Sequence, residues 1–266
     1  MAASILLVCV TVILVPLMLF GLIGNTLTLL VVWLRPNMRS SSHLYLSSMA
    51  VSDLLFLLLL PLDLIEVWIG WKLGVIVCKL SMFLSQCCIF CTMIHITFLS
   101  MERYLVVCWP ITSKTLVTSR RTRALIGCLW LGAAVSAAPF LVMMEVDDMK
   151  REVCRVSPSS FSSGLVLAMI ILYYLYVLVP LCILGLVYIL IGRTLRLRTK
   201  ISRKDKSQQH AVKMLGEKHN PTHTPSGVIF LAFVLCWLPF IVRLTMTYDS
   251  LTAGSNMLPS TLWCTT

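Results

Sequence analysis

Residues 75–108 read VIVCKLSMFLSQCCIFCTMIHITFLSMERYLVVC, and the section 80–101 contains no Asp, Glu, Lys or Arg. A helix needs about 20 mostly apolar residues to cross the hydrocarbon core of a bilayer. Because a backbone exposed to lipid must satisfy its own hydrogen bonds, such a segment is expected to be helical. The stretch therefore predicts a transmembrane helix that ends near the charged pair Glu102-Arg103.

Six segments of the 266-residue chain share this apolar character. The chain is 58% hydrophobic and only 12% charged, with a mean hydropathy of +0.91, whereas a soluble globule carries roughly 25% charged residues. So few polar groups could not cover a water-soluble surface. We therefore predict an all-α, polytopic transmembrane helical bundle, a single domain over residues 1–266, with spans at 5–33, 44–68, 75–108, 124–144, 165–191 and 228–247.

The basic residues between these spans predict the orientation of the bundle. Lys and Arg concentrate after spans one, three and five, and loops rich in Lys and Arg remain in the cytoplasm. We therefore predict a plasma-membrane protein with an extracellular N-terminus and a basic cytoplasmic loop over residues 192–227. The net charge of +11 lies in loops beside membrane lipid headgroups, and not on one surface as nucleic-acid binding would need.

A carboxylate in the middle of span two, Asp53, is the most unusual polar group in the apolar segments. Charged groups at this depth are costly and mark function by default. Two interpretations remain open: a structural group that is protonated or satisfied by neighbouring serines, and a cation or proton site, with sodium as the candidate ion. Asn25 of span one is the expected polar partner, because amides bond across helices in lipid.

Two further motifs suggest a conformational switch. Glu102-Arg103-Tyr104 ends span three before a basic loop. It is either a pair of interfacial charges that snorkel or a switch in which the arginine exchanges its carboxylate for another partner. Trp237 lies two residues before Pro239 in span six. It is either a packed aromatic beside an ordinary proline kink or a relay for ligand contacts.

Cysteine and histidine spacing bears on disulfide, metal and catalytic chemistry. Cys78 and Cys154 both fall outside the cell in the predicted topology, where oxidising conditions favour a disulfide. Zinc-ligand spacing, His-Glu-x-x-His and Gly-x-Ser-x-Gly are all absent from the sequence, so we predict no enzyme, no cofactor and no metal site apart from Asp53. His95, inside span three, is expected to hydrogen-bond between helices. A transporter is the remote alternative, but the halves of the chain show no repeat.

Taken in order along the chain, these motifs resemble those of a known protein family. The set is Gly24-Asn25, Asp53-Leu54, Glu102-Arg103-Tyr104, Trp130, Pro180 with Tyr188, Cys236-Trp237-Leu238-Pro239 and the Cys78–Cys154 pair. At these spacings the chain resembles the rhodopsin-like (class A) G-protein-coupled receptors over about residues 20–245. Stretches such as 44–55, 60–64 and 236–240 are most similar to the ghrelin and motilin receptor group.

This resemblance implies a peptide hormone as the extracellular ligand and a heterotrimeric G protein, of the Gq type, as the intracellular partner. The ligand-binding residues carried over are Asp63, Gln86, Trp237, Phe240 and Arg243. The residues carried over for activation and G-protein coupling are Asn25, Asp53, Glu102, Arg103, Tyr104, Tyr188, Trp237 and Pro239. Gln86 replaces an acidic residue of the group and Arg243 lies one position early, so the expected ligand is a ghrelin- or motilin-like peptide that need not be ghrelin or motilin itself.

Two departures from the group bear on signalling. The group has a seventh span that carries Asn-Pro-x-x-Tyr, whereas residues 251–266 are too short and polar to cross a bilayer, so six of the seven spans are expected. Residues 216–226 form an insertion with two prolines and a glycine, which would break helix six at its cytoplasmic end. The alternative hypothesis is therefore a truncated or mis-spliced receptor fragment that does not signal on its own.

The predicted orientation can be tested with epitope tags in cells. A tag inserted within residues 200–206 should bind antibody only after the cells are permeabilised, because the surrounding Lys and Arg residues hold this segment in the cytoplasm. A tag placed before Met1 serves as the control and should bind antibody on intact cells. Labelling of the 200–206 tag on intact cells would contradict the orientation.

Overall fold

Long helices form most of the described chain. The structure, a computed structural model, describes residues 2–34, 41–147 and 153–208. In chain order its elements are α1 (Ala2–Leu34), α2 (Ser41–Ile69), α3 (Gly74–Cys108), α4 (Pro110–Leu116), α5 (Ser119–Ala137), α6 (Phe140–Met143), β1 (Met144–Asp147), β2 (Val153–Val156), α7 (Pro158–Ser162) and α8 (Leu165–Gln208).

Five helical segments are long and apolar enough to cross a membrane. They are Leu7–Leu34, Ser41–Ile69, Gly74–Cys108, Ser119–Met143 and Leu165–Thr194. These segments overlap the first five predicted spans, as an all-α polytopic bundle requires. The predicted sixth span (228–247) and the predicted insertion (216–226) lie outside the described residues.

Helices α5 and α8 extend furthest beyond the predicted spans. α5 begins at Ser119 and not near residue 124, because its first turn consists mostly of arginine, a good helix former that extends the helix into the aqueous interface. α8 continues beyond residue 191 to Gln208 for the same reason. The first half of the segment predicted as a basic loop, 192–227, is therefore helical.

Helix α3 lies at the centre of the bundle. It packs against α2, α5, α8 and strand β1, and buried side chains such as Cys78, Phe90 and Leu99 occur along its whole length. α1, in contrast, exposes large apolar side chains, among them Phe20, which is 74% exposed. Apolar surface left in water costs about 25 cal/mol per Å², whereas acyl chains remove that cost. The exposed faces are therefore suited to lipid.

A two-stranded hairpin follows the fourth span and covers one end of α3. β1 and β2 are antiparallel, and Val146 lies opposite Cys154. Cys154 forms a disulfide with Cys78 in the first turns of α3, with 5.7 Å between their Cα atoms. The predicted Cys78–Cys154 disulfide is therefore confirmed. On the hairpin surface, Arg155 lies 2.8 Å from the Asp147 carboxylate.

A partly buried hydrogen-bond network joins three helices in the middle of the bundle. Trp130 Nε1 on α5 donates to Ser48 Oγ on α2 at 2.9 Å, and Ser48 Oγ lies 3.0 Å from His95 Nε2 on α3. His95 Nδ1 lies 2.7 Å from the Cys91 carbonyl oxygen, which can only accept, so Nδ1 carries the hydrogen and Nε2 of the neutral ring accepts from Ser48. The predicted role of His95 in bonding between helices is confirmed.

Removing the central hydroxyl of this network should destabilise the bundle. Ser48→Ala leaves the Trp130 N–H and His95 Nε2 without their partner, which costs about 1–2 kcal/mol in a membrane protein and lowers Tm by about 2–5 °C. The measurement is thermal unfolding of the purified chain in detergent. Ser47→Ala is the matched control, because among the described residues Ser47 Oγ bonds only the His43 carbonyl oxygen of its own helix. Equal Tm values for the two variants would contradict the assignment.

Candidate functional site

The carboxylate predicted as an interior site is bonded to the neighbouring helix. Thr92 Oγ1 on α3 donates to Asp53 Oδ1 at 3.2 Å and lies 2.9 Å from Ser52 Oγ. This cluster ties α2 to α3 halfway through the bundle. The described residues contain no group of three or more His, Cys, Asp or Glu side chains that could hold a metal ion. A sodium ion at Asp53 therefore stays a prediction.

Asn25 does not take the role expected of it as the partner of Asp53. Its side-chain nitrogen donates to the Gly21 carbonyl oxygen, 3.0 Å away in its own helix. The Asn25 side chain therefore forms its hydrogen bond within α1, one turn earlier along the helix. Asp53 obtains its hydrogen bond from a threonine hydroxyl on α3 instead, a contact that the sequence pattern did not suggest.

Near the C-terminal end of α3, the carboxylate of Glu102 forms a hydrogen bond with α2. Ser42 Oγ donates to Glu102 Oε1 at 2.8 Å, and both residues are buried. The adjacent Arg103 is exposed and makes no hydrogen bond or ion pair with any residue in the described ranges. Tyr104 accepts a hydrogen bond from Trp109 Nε1 at 3.3 Å. The structure therefore gives Glu102 a hydrogen bond to α2 and leaves the Arg103 side chain exposed beside it.

Gln86, predicted as a ligand contact, is buried between α3 and α8. Its side-chain oxygen accepts a hydrogen bond from the Tyr173 hydroxyl, and it is only 5% exposed. The Tyr173 ring packs against Phe90 with 5.1 Å between centroids, and Phe90 packs against Tyr176 at 4.4 Å. Gln86 therefore connects α3 to α8 through an aromatic cluster.

The remaining predicted residues are distributed over the bundle. Asp63 is half-buried in α2, and Tyr188 is 45% exposed on α8. Each of these two side chains interacts with another group of the protein. The other four residues predicted for ligand binding and relay lie outside the described residues: Trp237, Pro239, Phe240 and Arg243.

Glu66 occupies a position that sequence reasoning did not assign to the site. Its Oε1 atom accepts a hydrogen bond from the backbone N–H of Cys154 at 2.8 Å, and the side chain is 7% exposed. The hairpin is thus held to α3 by the disulfide and to α2 by this carboxylate. Asp63 lies three residues earlier, on the same face of α2. That spacing is the signal that could have drawn attention to Glu66.

The chain as a whole matches a known family of membrane proteins. The model of the 7 transmembrane receptor (rhodopsin family) matches residues 24–265. The chain belongs to the rhodopsin family of seven-transmembrane receptors. The match confirms the predictions of a multi-pass helical receptor and of a protein that is not an enzyme.

Three receptors of this family are similar in sequence to most of the chain. Growth hormone secretagogue receptor type 1 of Sus scrofa is 38% identical over 264 residues, which cover 94% of this chain and 69% of that receptor. The human motilin receptor is 33% identical and covers 89% of this chain, with 68% of its own length matched. Human neurotensin receptor type 1 is 28% identical over 90% of this chain and 63% of its own length. The predicted relation to the ghrelin and motilin receptor group is confirmed.

The bond between Glu66 and the hairpin leads to a measurable expectation. Glu66→Ala should raise the hydrogen-exchange rate of the amides of residues 153–156 by about tenfold, because a buried backbone N–H that loses its acceptor costs about 1–3 kcal/mol. Glu66→Gln retains a side-chain oxygen and should cause a smaller increase. Exchange is measured by mass spectrometry with the disulfide intact.

A control for this experiment is Glu145→Ala. Glu145 is a partly exposed residue on the hairpin whose contact with Arg155 is 3.4 Å long, and exposed ion pairs contribute little. Its removal should change the exchange rate by less than about twofold. If Glu66→Ala had no greater effect than Glu145→Ala, Glu66 would not be holding the hairpin.

Proposed function

We propose that this chain is a plasma-membrane receptor for an extracellular peptide hormone, with its N-terminus outside the cell, and that it signals through a heterotrimeric G protein of the Gq type. The observation that carries the proposal is the arrangement at the end of α3. Glu102 is buried and bonded to Ser42, while Arg103 beside it is exposed. The names of the growth hormone secretagogue and motilin receptors support the peptide class of ligand.

The cytoplasmic arrangement supports a switch. A guanidinium carries five N–H donors and no acceptor, and Arg103 uses none of these donors on the described residues. The partner G protein is proposed to contact Arg103, while the neighbouring carboxylate of Glu102 accepts its hydrogen bond from Ser42. A hormone can favour this state only if it binds that state more tightly than the alternative.

The extracellular arrangement supports a ligand that enters beside a fixed hairpin. The disulfide and the Glu66 bond hold the hairpin over the bundle, so the peptide would contact Asp63 at the top of α2 and Trp237, Phe240 and Arg243. Gln86 is proposed to act as a positioning residue, because its carboxamide oxygen is bonded to Tyr173. Asp53 is proposed to stabilise the interior of the bundle, with sodium as the candidate ion.

Calcium release in transfected cells tests the proposal. Cells that express residues 1–266 are exposed to ghrelin, motilin and neurotensin, and peptide binding and intracellular calcium are both measured. At least one of these three peptides should bind and release calcium. Arg103→Ala should reduce the calcium response by at least about tenfold, the effect of losing one hydrogen-bonded charge, while the binding of peptide to membranes changes far less.

Arg120→Ala is the matched control for this experiment. Arg120 is an exposed arginine in the first turn of α5, and its removal should leave the calcium response within about twofold. Equal responses for Arg103→Ala and the unmodified chain would remove Arg103 from the mechanism. Surface-expressed chain that binds peptide and never releases calcium would favour the non-signalling alternative. Surface-expressed chain that binds no peptide would overturn the proposed ligand class.

A further inference from the structure

Five serines lie close together in the connection between strand β2 and helix α8. The segment 157–163 reads SPSSFSS, and its serines are Ser157, Ser159, Ser160, Ser162 and Ser163. The segment follows the hairpin that is bonded to Cys78 and precedes the fifth span, so the proposed orientation places it outside the cell. None of these hydroxyls belongs to the residues proposed for hormone binding or for G-protein coupling.

The structure divides these serines into accessible and inaccessible ones. Ser160 is only 5% exposed, whereas Ser159 and Ser162 are exposed. Both exposed residues belong to α7 and lie three positions apart, which places them on one face of this short helix. An enzyme that approaches the outer face of the loop therefore meets the two hydroxyls together.

The hydrogen bonds of these two hydroxyls leave their oxygens available. Ser162 Oγ donates to the Ser159 carbonyl oxygen at 2.9 Å, and Ser159 Oγ lies 2.8 Å from Ser157 Oγ. Both bonds are exposed to solvent. A serine hydroxyl has one donor and two lone pairs, so Ser162 Oγ keeps both lone pairs. Ser163 Oγ, in contrast, bonds the Ser160 carbonyl oxygen in a partly buried position, which makes it less accessible.

The residues around the loop favour an uncharged modification. Residues 156–192 contain no Asp, Glu, Lys or Arg, so a phosphate, which adds a charge of about −1.5 to −2, would find no basic partner within this segment. The chain contains no usable Asn-x-Ser/Thr sequence for an N-linked sugar. Segments rich in serine and containing proline are typical acceptors of O-linked sugars of the mucin type.

We propose that Ser159 and Ser162 are acceptors for O-linked N-acetylgalactosamine. The hydroxyl oxygen attacks the anomeric carbon of the sugar in a nucleotide sugar, UDP-N-acetylgalactosamine, and forms the new C–O bond. The bond from that carbon to the diphosphate oxygen breaks, UDP leaves with the electron pair, and the hydroxyl proton is released. Nothing is oxidised or reduced. The modification requires the proposed orientation, because the lumen of the secretory pathway becomes the outside of the cell.

Helix α4 provides a matched hydroxyl at the opposite end of the bundle. Thr115 Oγ1 is exposed and donates to the Thr112 carbonyl oxygen at 2.8 Å, which repeats the geometry of Ser162 and Ser159. α4 also begins at a proline, as α7 does. The proposed orientation places Thr115 in the cytoplasm. The two hydroxyls therefore share their local geometry and differ in compartment.

Peptide mass spectrometry of the chain purified from mammalian cells tests the sites. A tag before Met1 is stained on intact cells in parallel, which reports whether the chain reaches the surface with its N-terminus outside. N-acetylhexosamine should be found on Ser159 and Ser162. Ser160, which is buried, and Thr115, which faces the cytoplasm, should carry none. Ser159→Ala combined with Ser162→Ala should abolish the sugar, whereas Ser162→Thr keeps a hydroxyl and should retain sugar at position 162.

The possible failures separate the modification from the orientation. No sugar on residues 157–163 of a chain whose tag is stained on intact cells would overturn the modification alone. Phosphate on the segment, or sugar confined to Ser157 or Ser163, would overturn the assignment to Ser159 and Ser162. Sugar on Thr115 and none on the loop would overturn the orientation as well.

A chain that is not stained at the surface still allows a test. The purified chain in detergent is incubated with UDP-N-acetylgalactosamine and a polypeptide N-acetylgalactosaminyltransferase, and the modified residues are located by the same mass spectrometry. Transfer to Ser159 and Ser162, and not to the buried Ser160, is the expected result. Failure of both exposed serines to accept the sugar would contradict the proposal.

Discussion

The absence of water inside the bilayer is the constraint on which the rest of this structure depends. A polar side chain within a span must find a partner on its own helix or on a neighbouring helix. Asn25 and Ser47 bond their own helices, whereas Ser48 and Thr92 bond across helices. The bonds between helices determine which helix faces meet. Apolar contacts alone favour no particular pairing, because the lipid tails are as apolar as the helix surfaces.

α3 is where most of these cross-helix bonds converge. The disulfide joins the N-terminal end of α3 to the hairpin, and Gln86 joins α3 to α8 further along the helix. His95 joins it to α2 and, through Ser48, to α5. Glu102 joins the C-terminal end of α3 to α2. A displacement at either end of α3 therefore changes contacts with several helices, which is the property that a membrane receptor needs to transmit a signal.

The two ends of the bundle differ in how firmly they are bonded. The hairpin is held by a covalent bond and by a buried carboxylate. At the opposite end of α3, Glu102 depends on a single hydroxyl and Arg103 is exposed. A single hydrogen bond is far easier to exchange than a disulfide. The contacts at the Glu102 end of α3 can therefore rearrange at a lower cost than those at the hairpin.

The sequence by itself determined the membrane class, the first five spans and the disulfide, because hydropathy, charge bias and compartment act locally or by simple topology. It also marked Asp53, Glu102 and His95, since polar groups stand out in apolar segments. Only the tertiary structure decided their partners: Thr92, Ser42 and Ser48. A serine or threonine is common in any helix, and which one faces a given carboxylate or imidazole depends on how the helices are rotated and packed, which no single helix encodes.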